Sequence, residues 1–282
     1  MRVLAMNQLK LRQQLECFFN EDIGDGDKTS DIIFPNHQEG EIIFLAKSTG
    51  IFCGEDIIKQ GFSLLDGKID VQVHLEDGER IEPGQTIATV RGDIKNLLKG
   101  ERVILNLIQR MSGIATLTSK AVEALNSSYT KICDTRKTTP GLRMLEKYAV
   151  TVGGGFNHRF GLYDAVMIKD NHISFAGGIK EAVRAVKQSI GHMIKVEVET
   201  ESFEQMQDAL AAGADVIMFD NISPEDIAKW IPHVPETVTT EASGGITLEN
   251  LPAYKDCGVD YISLGFITHS ATALDISVKA SF

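Results

Sequence analysis

The feature that most constrains this chain is a rhythm that begins near Tyr129: a short apolar run, a polar residue, then a helical stretch, repeated almost to the end. The runs fall at 131–133, 165–168, 194–198, 215–219, 238–240 and 261–264, and helical patterns such as 179–189 and 203–212 separate several of them. Serial strand–helix units imply parallel strands, because a parallel return needs a crossover that a tight turn cannot make. Such strands either close into a barrel or lie as an open doubly wound sheet. The polar residues decide between the two. Asp134 to Lys137, Lys169 to His172, Asp220-Asn221, Glu241 to Gly245 and Gly265 each follow a run, and Glu197 lies near the end of its own. A barrel gathers the carboxyl ends of all its strands round one mouth. An open sheet strings them along a line, with one useful switch point. The pattern therefore predicts an incomplete α/β barrel of six or seven strands.

The first part has a different rhythm. Leu9, Leu11, Leu15, Phe18 and Phe19, interleaved with charged and amide residues, predict an amphipathic first helix and carry no cleavable-signal pattern. Strands are expected at 41–47 and 70–75, with Asp66-Gly67 and Asp77-Gly78 supplying turn chemistry. The stretch 74–92 resembles the hammerhead β-sandwich of lipoyl and biotinyl carriers, but no hairpin-tip lysine is present, so its reading is structural. A helix is expected over 97–117, with Val103, Leu107 and Ile108 near one face. This divides the 282 residues into a domain over 1–111 and a barrel over 112–270, with 271–282 open to rejoining the first.

A net charge of −11 argues against a nucleic-acid or anionic-membrane binder, and no apolar run is long enough to span a bilayer. Any cationic site must then be local. Cys17, Cys53, Cys133 and Cys257 lie far apart without a C-x-x-C pair, which suits buried free thiols in a reducing cytoplasm better than disulfides or zinc.

The candidate cations are Arg102, Arg136, Lys137, His158, Arg159 and Lys169. Arginine grips planar anions with two prongs, while lysine acts as a point charge. Most such residues are solvated surface charges, but Arg136, Lys137 and Lys169 directly follow strands on a common face. Arg102 lies in the first half and reaches a barrel mouth only by domain contact or from a partner subunit. Glu197 and Asp220 fall on or after consecutive strands, suited to Mg²⁺ or to ribose hydroxyls; the alternative is ordinary strand-end acids paired with lysines. Glu199 shares the parity of Glu197 but is left out of the candidate set, because its later position suggests the rim. Ser243-Gly244-Gly245 and Leu264-Gly265-Phe266 follow the last two strands and read as a phosphate cradle, with His269 and Ser270 as further donors. Gly153-Gly154-Gly155 is equally well a structural loop, and His172 is open between a catalytic role and fixing a strand end, so it is assigned no chemistry.

Taken jointly, these residues become recognisable. The runs Glu101-Arg102, Leu105-Asn106 and Ser112 to Thr116, Asp134 to Arg143 (DTRKTTPGLR), GGGFNHR at 153–159, MIKDNH at 167–172, EASGGI at 241–246 and GVDYISLG at 258–265 resemble the quinolinate phosphoribosyltransferase family. The likeness runs in unbroken order from about Asp22 to the C-terminus. It implies an N-terminal α/β sandwich domain packed on an incomplete α/β barrel, in a homodimer with shared active sites and room for a higher oligomer. Arg102 would enter from the partner subunit. Arg136, His158, Arg159 and Lys169 would hold the two carboxylates of the acceptor, quinolinate, and Thr135 would be a further substrate-binding residue. Lys137 would serve the donor, phosphoribosyl pyrophosphate, and Glu197 and Asp220 its ribose and Mg²⁺. Lys137, Lys169, Glu197 and Asp220 would form the catalytic set. Ser243, Gly244, Gly245, Leu264, Gly265 and Phe266 would hold the 5′-phosphate. The implied product is nicotinate mononucleotide, for NAD biosynthesis, with Mg²⁺ and no organic cofactor. The alternatives are a paralogous transferase for another anionic acceptor and a non-catalytic quinolinate-binding protein.

Overall fold

The computed structural model describes residues 5–35 and 37–281. The chain groups into two compact units, one of 1–119, 144–154 and 271–282, the other of 120–143 and 155–270. The change-over thus falls inside a helix, beyond the expected 111/112 boundary, and 144–154 also belong with the first unit.

In the first unit the chain runs α1 (Gln8–Ile23), α2 (Ser30–Ile33), β1 (Glu39–Ala46), β2 (Gly50–Ile51), α3 (Glu55–Leu65), β3 (Asp70–Val73), β4 (Arg80–Ile81), β5 (Thr86–Asp93) and α4 (Ile94–Leu125), whose last residues enter the second unit. A four-stranded antiparallel sheet forms in the order final strand (Ile276–Ser281), β1, β5, β3. Alternation in β1 buries Ile42, Phe44 and Ala46 on one face. Against that face lie the apolar stripes of the helices, Ile57, Ile58 and Phe62 of α3 among them, with the rings of Phe44 and Phe62 edge-to-face at 6.2 Å. In α1 the buried stripe is Leu11, Leu15 and Phe19, at i, i+4 and i+8, while Leu9 points outward. The stretch 74–92 is not a small sandwich of its own. β4 makes a two-residue ladder with β2, and β5 joins the main sheet.

The second unit holds β6 (Lys131–Cys133), the start of α5 (Arg143–Val152), β7 (Val166–Ile168), α6 (Asp170–Ala176), α7 (Ile179–Lys187), β8 (Val196–Thr200), α8 (Phe203–Ala212), β9 (Val216–Asp220), α9 (Pro224–Trp230), β10 (Thr239–Ser243), β11 (Tyr261–Ser263) and α10 (Phe266–His269). The strands are parallel and ordered β6-β11-β10-β9-β8-β7, so the first pairs with the last. That circular order is how a serial βα chain curls into a barrel. On the far side of β6, Phe156 adds a single parallel bridge to Cys133. Between this bridge and β7 the barrel stays incomplete, and the Arg159 side chain spans the interval, its Nη1 donating to the Ala165 carbonyl at 3.0 Å. Parity sorts each strand: Val196 and Val198 of β8 and Phe219 of β9 are buried, and Phe219 meets Trp230 at 6.0 Å. The alternate positions, Glu197, Glu199, Met218 and Asp220, carry the site.

Three of the four cysteines are buried and none is in a disulfide, but Cys17 is exposed, because its position on α1 lies off the Leu11–Leu15–Phe19 stripe. Among the described residues no helix is long and apolar enough to cross a membrane.

Candidate active site

The carboxyl ends of the barrel strands surround a cavity of about 650 Å³. Its walls include Thr135, Arg136, Lys137, His158, Arg159, Lys169, Asp220, Ser243, Gly244 and Gly245, ten of the residues singled out from the sequence. Glu199, Asn221, Glu241, Met167, Met218, Asp170 and Ser263 complete it.

One wall is cationic. The 135–142 loop is shaped by its own polar groups: the Lys137 N–H donates to Thr135 Oγ1 at 3.0 Å, and Arg143 donates to Thr138 Oγ1 at 3.0 Å and to the Phe160 carbonyl at 2.9 Å. Burial first, and then Arg136 beside it, pull the Arg159 guanidinium below its ordinary pKa. Two guanidinium groups held this close repel one another, and a carboxylate between them relieves the repulsion. Lys169 ion-pairs with Glu199, whose carboxyl burial pushes up while the lysine opposes the rise. The Lys169 N–H donates to His172 Nδ1 at 3.0 Å, so His172 fixes the strand end and the start of α6.

His158 belongs to a deeper layer. Asp134, fully buried, accepts from the His158 N–H at 2.8 Å and from Asn157 Nδ2 at 2.7 Å, clamping the 156–159 segment to the end of β6. His158 Nε2 lies 3.0 Å from Glu197 and 3.6 Å from Glu241, while Nδ1 accepts the Arg159 N–H at 2.8 Å. A ring nitrogen that accepts an N–H carries no proton, so the imidazole proton sits on Nε2 and is donated to Glu197. Among the described residues these three are the set with metal-ligand atoms closest together, all within 4.8 Å. The tautomer opposes coordination there, since Nε2 has no lone pair to offer.

The opposite wall is built for an anion's oxygens. Gly244 and Gly245 adopt φ of +86° and +65°, and a side chain at Gly244 would overlap the Asn221 amide oxygen and meet its backbone nitrogen at 2.8 Å. The Asn221 N–H donates to the Ser243 carbonyl at 2.9 Å, which ties the end of β9 to this loop.

Seven expected residues lie elsewhere. Arg102 is on α4, in the first unit, 61% exposed and 3.9 Å from Glu101. Leu264 is core, its N–H donating to the Cys133 carbonyl at 2.9 Å. Gly265 and Phe266 are outside the cavity wall; Gly265 leaves room for the Lys137 side chain, to which a methyl group would come within 3.0 Å. His269 is exposed with Ser270, at 2.7 Å from it, and Gly153 is structural, packed where a side chain would strike α4 at Ala115 and Thr118.

The seventh is Glu197, and here the expectation is corrected. Glu197 is 5% exposed, bound to His158 and absent from the cavity wall; the carboxylate beside Asp220 at the mouth is Glu199, whose pKa the Asp220 charge helps to raise. Two residues along a strand is about 6–7 Å, and that step carries Glu199 up to the cavity wall. Its parity with Glu197 was the available signal. Glu199 and Asp220 offer hard, partly exposed oxygens, the donor set Mg²⁺ takes while keeping several waters.

The chain as a whole is similar to known proteins. Residues 27–112 match the model of the quinolinate phosphoribosyl transferase N-terminal domain, and 114–279 that of the C-terminal domain. A probable nicotinate-nucleotide pyrophosphorylase [carboxylating] of Bacillus subtilis is 58% identical over 276 residues, 98% of this chain and 95% of that protein. The human nicotinate-nucleotide pyrophosphorylase [carboxylating] is 43% identical over 83% of this chain and 80% of its own. The crystal structure of NadC from Streptococcus pyogenes superposes with a TM-score of 0.95 at 38% identity, covering 99% of both chains. With both domain models matched along nearly the whole chain, and a cavity whose cations, acids and glycine loop stand where those motifs put them, this chain belongs to the quinolinate phosphoribosyltransferase family.

Proposed function

We propose that this protein transfers the phosphoribosyl group of phosphoribosyl pyrophosphate to quinolinate with loss of carbon dioxide, giving nicotinate mononucleotide and pyrophosphate for NAD biosynthesis. The observation that carries the reading is a local concentration of Arg136, Lys137, Arg159 and Lys169 on one cavity in a chain of net charge −11, facing Glu199, Asp220 and a glycine loop. A dicarboxylate and a polyanionic donor need just this pairing of walls.

Arg136, Arg159 and Lys169 hold the acceptor's carboxylates and set its ring nitrogen toward the donor. The 243–245 loop receives the donor's 5′-phosphate, and Lys137 its pyrophosphate. Glu199 and Asp220 hold the ribose hydroxyls and Mg²⁺, which when bound neutralises charge on the leaving pyrophosphate. As the bond from ribose to pyrophosphate breaks, the positive charge growing on the sugar faces these two carboxylates, and the ring nitrogen closes on the anomeric carbon. Most of the rate then comes from placement and electrostatics. The homodimer, with Arg102 entering the neighbour's site, is supported by that side chain's exposure on α4. Four cysteines outside any disulfide support a reducing, cytoplasmic setting.

The test is direct. Protein, quinolinate, phosphoribosyl pyrophosphate and Mg²⁺ are mixed, with nicotinate replacing quinolinate in a parallel arm. Nicotinate mononucleotide and carbon dioxide from the first arm alone are expected. Turnover of nicotinate alone would assign a paralogue, and binding without turnover a non-catalytic protein.

A further inference from the structure

Glu241 has no part in that scheme, yet it lines the same cavity as Arg159 and Lys169. It sits on β10 with its side chain inward, 4% exposed, opposite Met218 of β9 and Tyr261 of β11 in register. The charged groups that face it are His158, Glu197 and Asp134. His158 is the one of these that opposes a negative Glu241, and its Nε2 proton is directed to Glu197 at 3.0 Å, nearer than Glu241 at 3.6 Å. Its Oε1 is buried and has no hydrogen-bond partner among the described residues. Two carboxylates this close in a site out of water cannot both ionise. Glu197 has the hydrogen bond, so Glu241 keeps a proton. A neutral acid also leaves the floor of the cavity free of a second negative charge where a dicarboxylate must bind.

We propose that Glu241 is the acid that protonates the pyridine carbon from which carbon dioxide departs. The inference rests on the transferase reading above. After phosphoribosyl transfer the ring nitrogen is cationic. The bond from the adjacent ring carbon to its carboxylate then breaks, carbon dioxide leaves, and the electron pair remains on that carbon beside the cationic nitrogen. The carbon takes the proton of Glu241, which is left as a carboxylate next to Glu197 and regains a proton from water when product leaves the mouth. Burial, and then the Glu197 charge, push the Glu241 carboxyl up to about 8, with His158 and Ser263 opposing, so the acid form is present at neutral pH.

The experiment compares wild type with Glu241→Gln and Glu241→Asp in a single turnover, quenched rapidly and assayed for pyrophosphate and for nicotinate mononucleotide, with labelled carbon dioxide in solution. Glutamine keeps the shape and cannot give up a proton. In wild type the two products are expected together. In Glu241→Gln, pyrophosphate release should stay within about threefold of wild type while nicotinate mononucleotide lags at least tenfold, and the unprotonated carbon should recapture labelled carbon dioxide into the dicarboxylated adduct. Glu241→Asp should restore part of the lost rate. Unchanged product formation in Glu241→Gln, or equal loss of pyrophosphate and product, overturns the assignment. A wild type that releases no pyrophosphate with quinolinate overturns the transferase reading itself, and this inference with it.

Discussion

One backbone N–H decides what His158 can do. Because Arg159 donates to Nδ1, the ring can only give its remaining proton away, and Glu197 receives it. The neighbouring carboxylates then have different chemistry on one strand. Glu199→Ala is expected to lower turnover and raise the Mg²⁺ requirement with quinolinate affinity nearly kept. Glu197→Ala frees His158 and should weaken quinolinate binding instead, by about 1–3 kcal/mol for the lost buried partner. Calorimetry with quinolinate, beside a Mg²⁺ titration of activity, separates the two, and the reverse pattern would put Glu197 back at the donor. Glu241 supplies a second prediction at this scale. Unfolded, its carboxyl titrates near 4.5; folded, it holds its proton up to about 8. Between those values the unfolded chain binds fewer protons, so the Glu241 contribution to stability falls as pH rises through that window and levels off above it. Glutamine cannot titrate. The melting temperature of Glu241→Gln should therefore gain on wild type between pH 5 and pH 8, by about 5 °C. A constant difference across that range would mean Glu241 is ionised in the folded protein.

At the scale of elements, the site is a consequence of strand parity. Each barrel strand turns alternate residues inward, so β8 presents Glu197 below and Glu199 above, and β9 presents Met218 below and Asp220 above. The loop after β10 depends on backbone shape as much as on chemistry. Gly244 combines a left-handed φ with close packing on Asn221. Gly244→Ala should cost about 1–3 kcal/mol and, because the strained loop moves, raise the KM for phosphoribosyl pyrophosphate more than that for quinolinate. Thermal melts and steady-state kinetics check both parts. Equal KM shifts for the two substrates would remove the loop from the donor side.

At the scale of the whole molecule, the prediction is a site shared between subunits. Arg102 lies on α4 of the first unit, and every other cation of the clamp lies on the barrel. Homodimers of Arg102→Ala and of Lys169→Ala should each be inactive. Mixed and left to exchange, they form heterodimers in which one site collects both lesions and the other none. About half of the dimers are then mixed, and activity should return to about a quarter of wild-type sites. Heterodimers confirmed by mass spectrometry but without activity would mean that Arg102 serves its own subunit.

What the sequence by itself determined is whatever repeats locally. The serial runs with polar residues after them specified parallel strands and a common mouth, and 203–212 is a helix because Met206 and Ala209 recur at helical spacing before Gly213 ends it. Eight lining residues were legible because a strand's end is visible in the chain, and His158 and Arg159 because the run 153–159 resembles the family. Depth was not. Glu197 and Glu199 have the same residue type and the same parity, and only the barrel's register against Met167, Val216 and Met218 shows that the cavity is lined by the later of the two. The proton on His158, the acid form of Glu241 and the burial of Leu264 were equally out of reach. Each depends on groups distant in sequence that share one desolvated space, and neither charge state nor burial exists until folding brings them there.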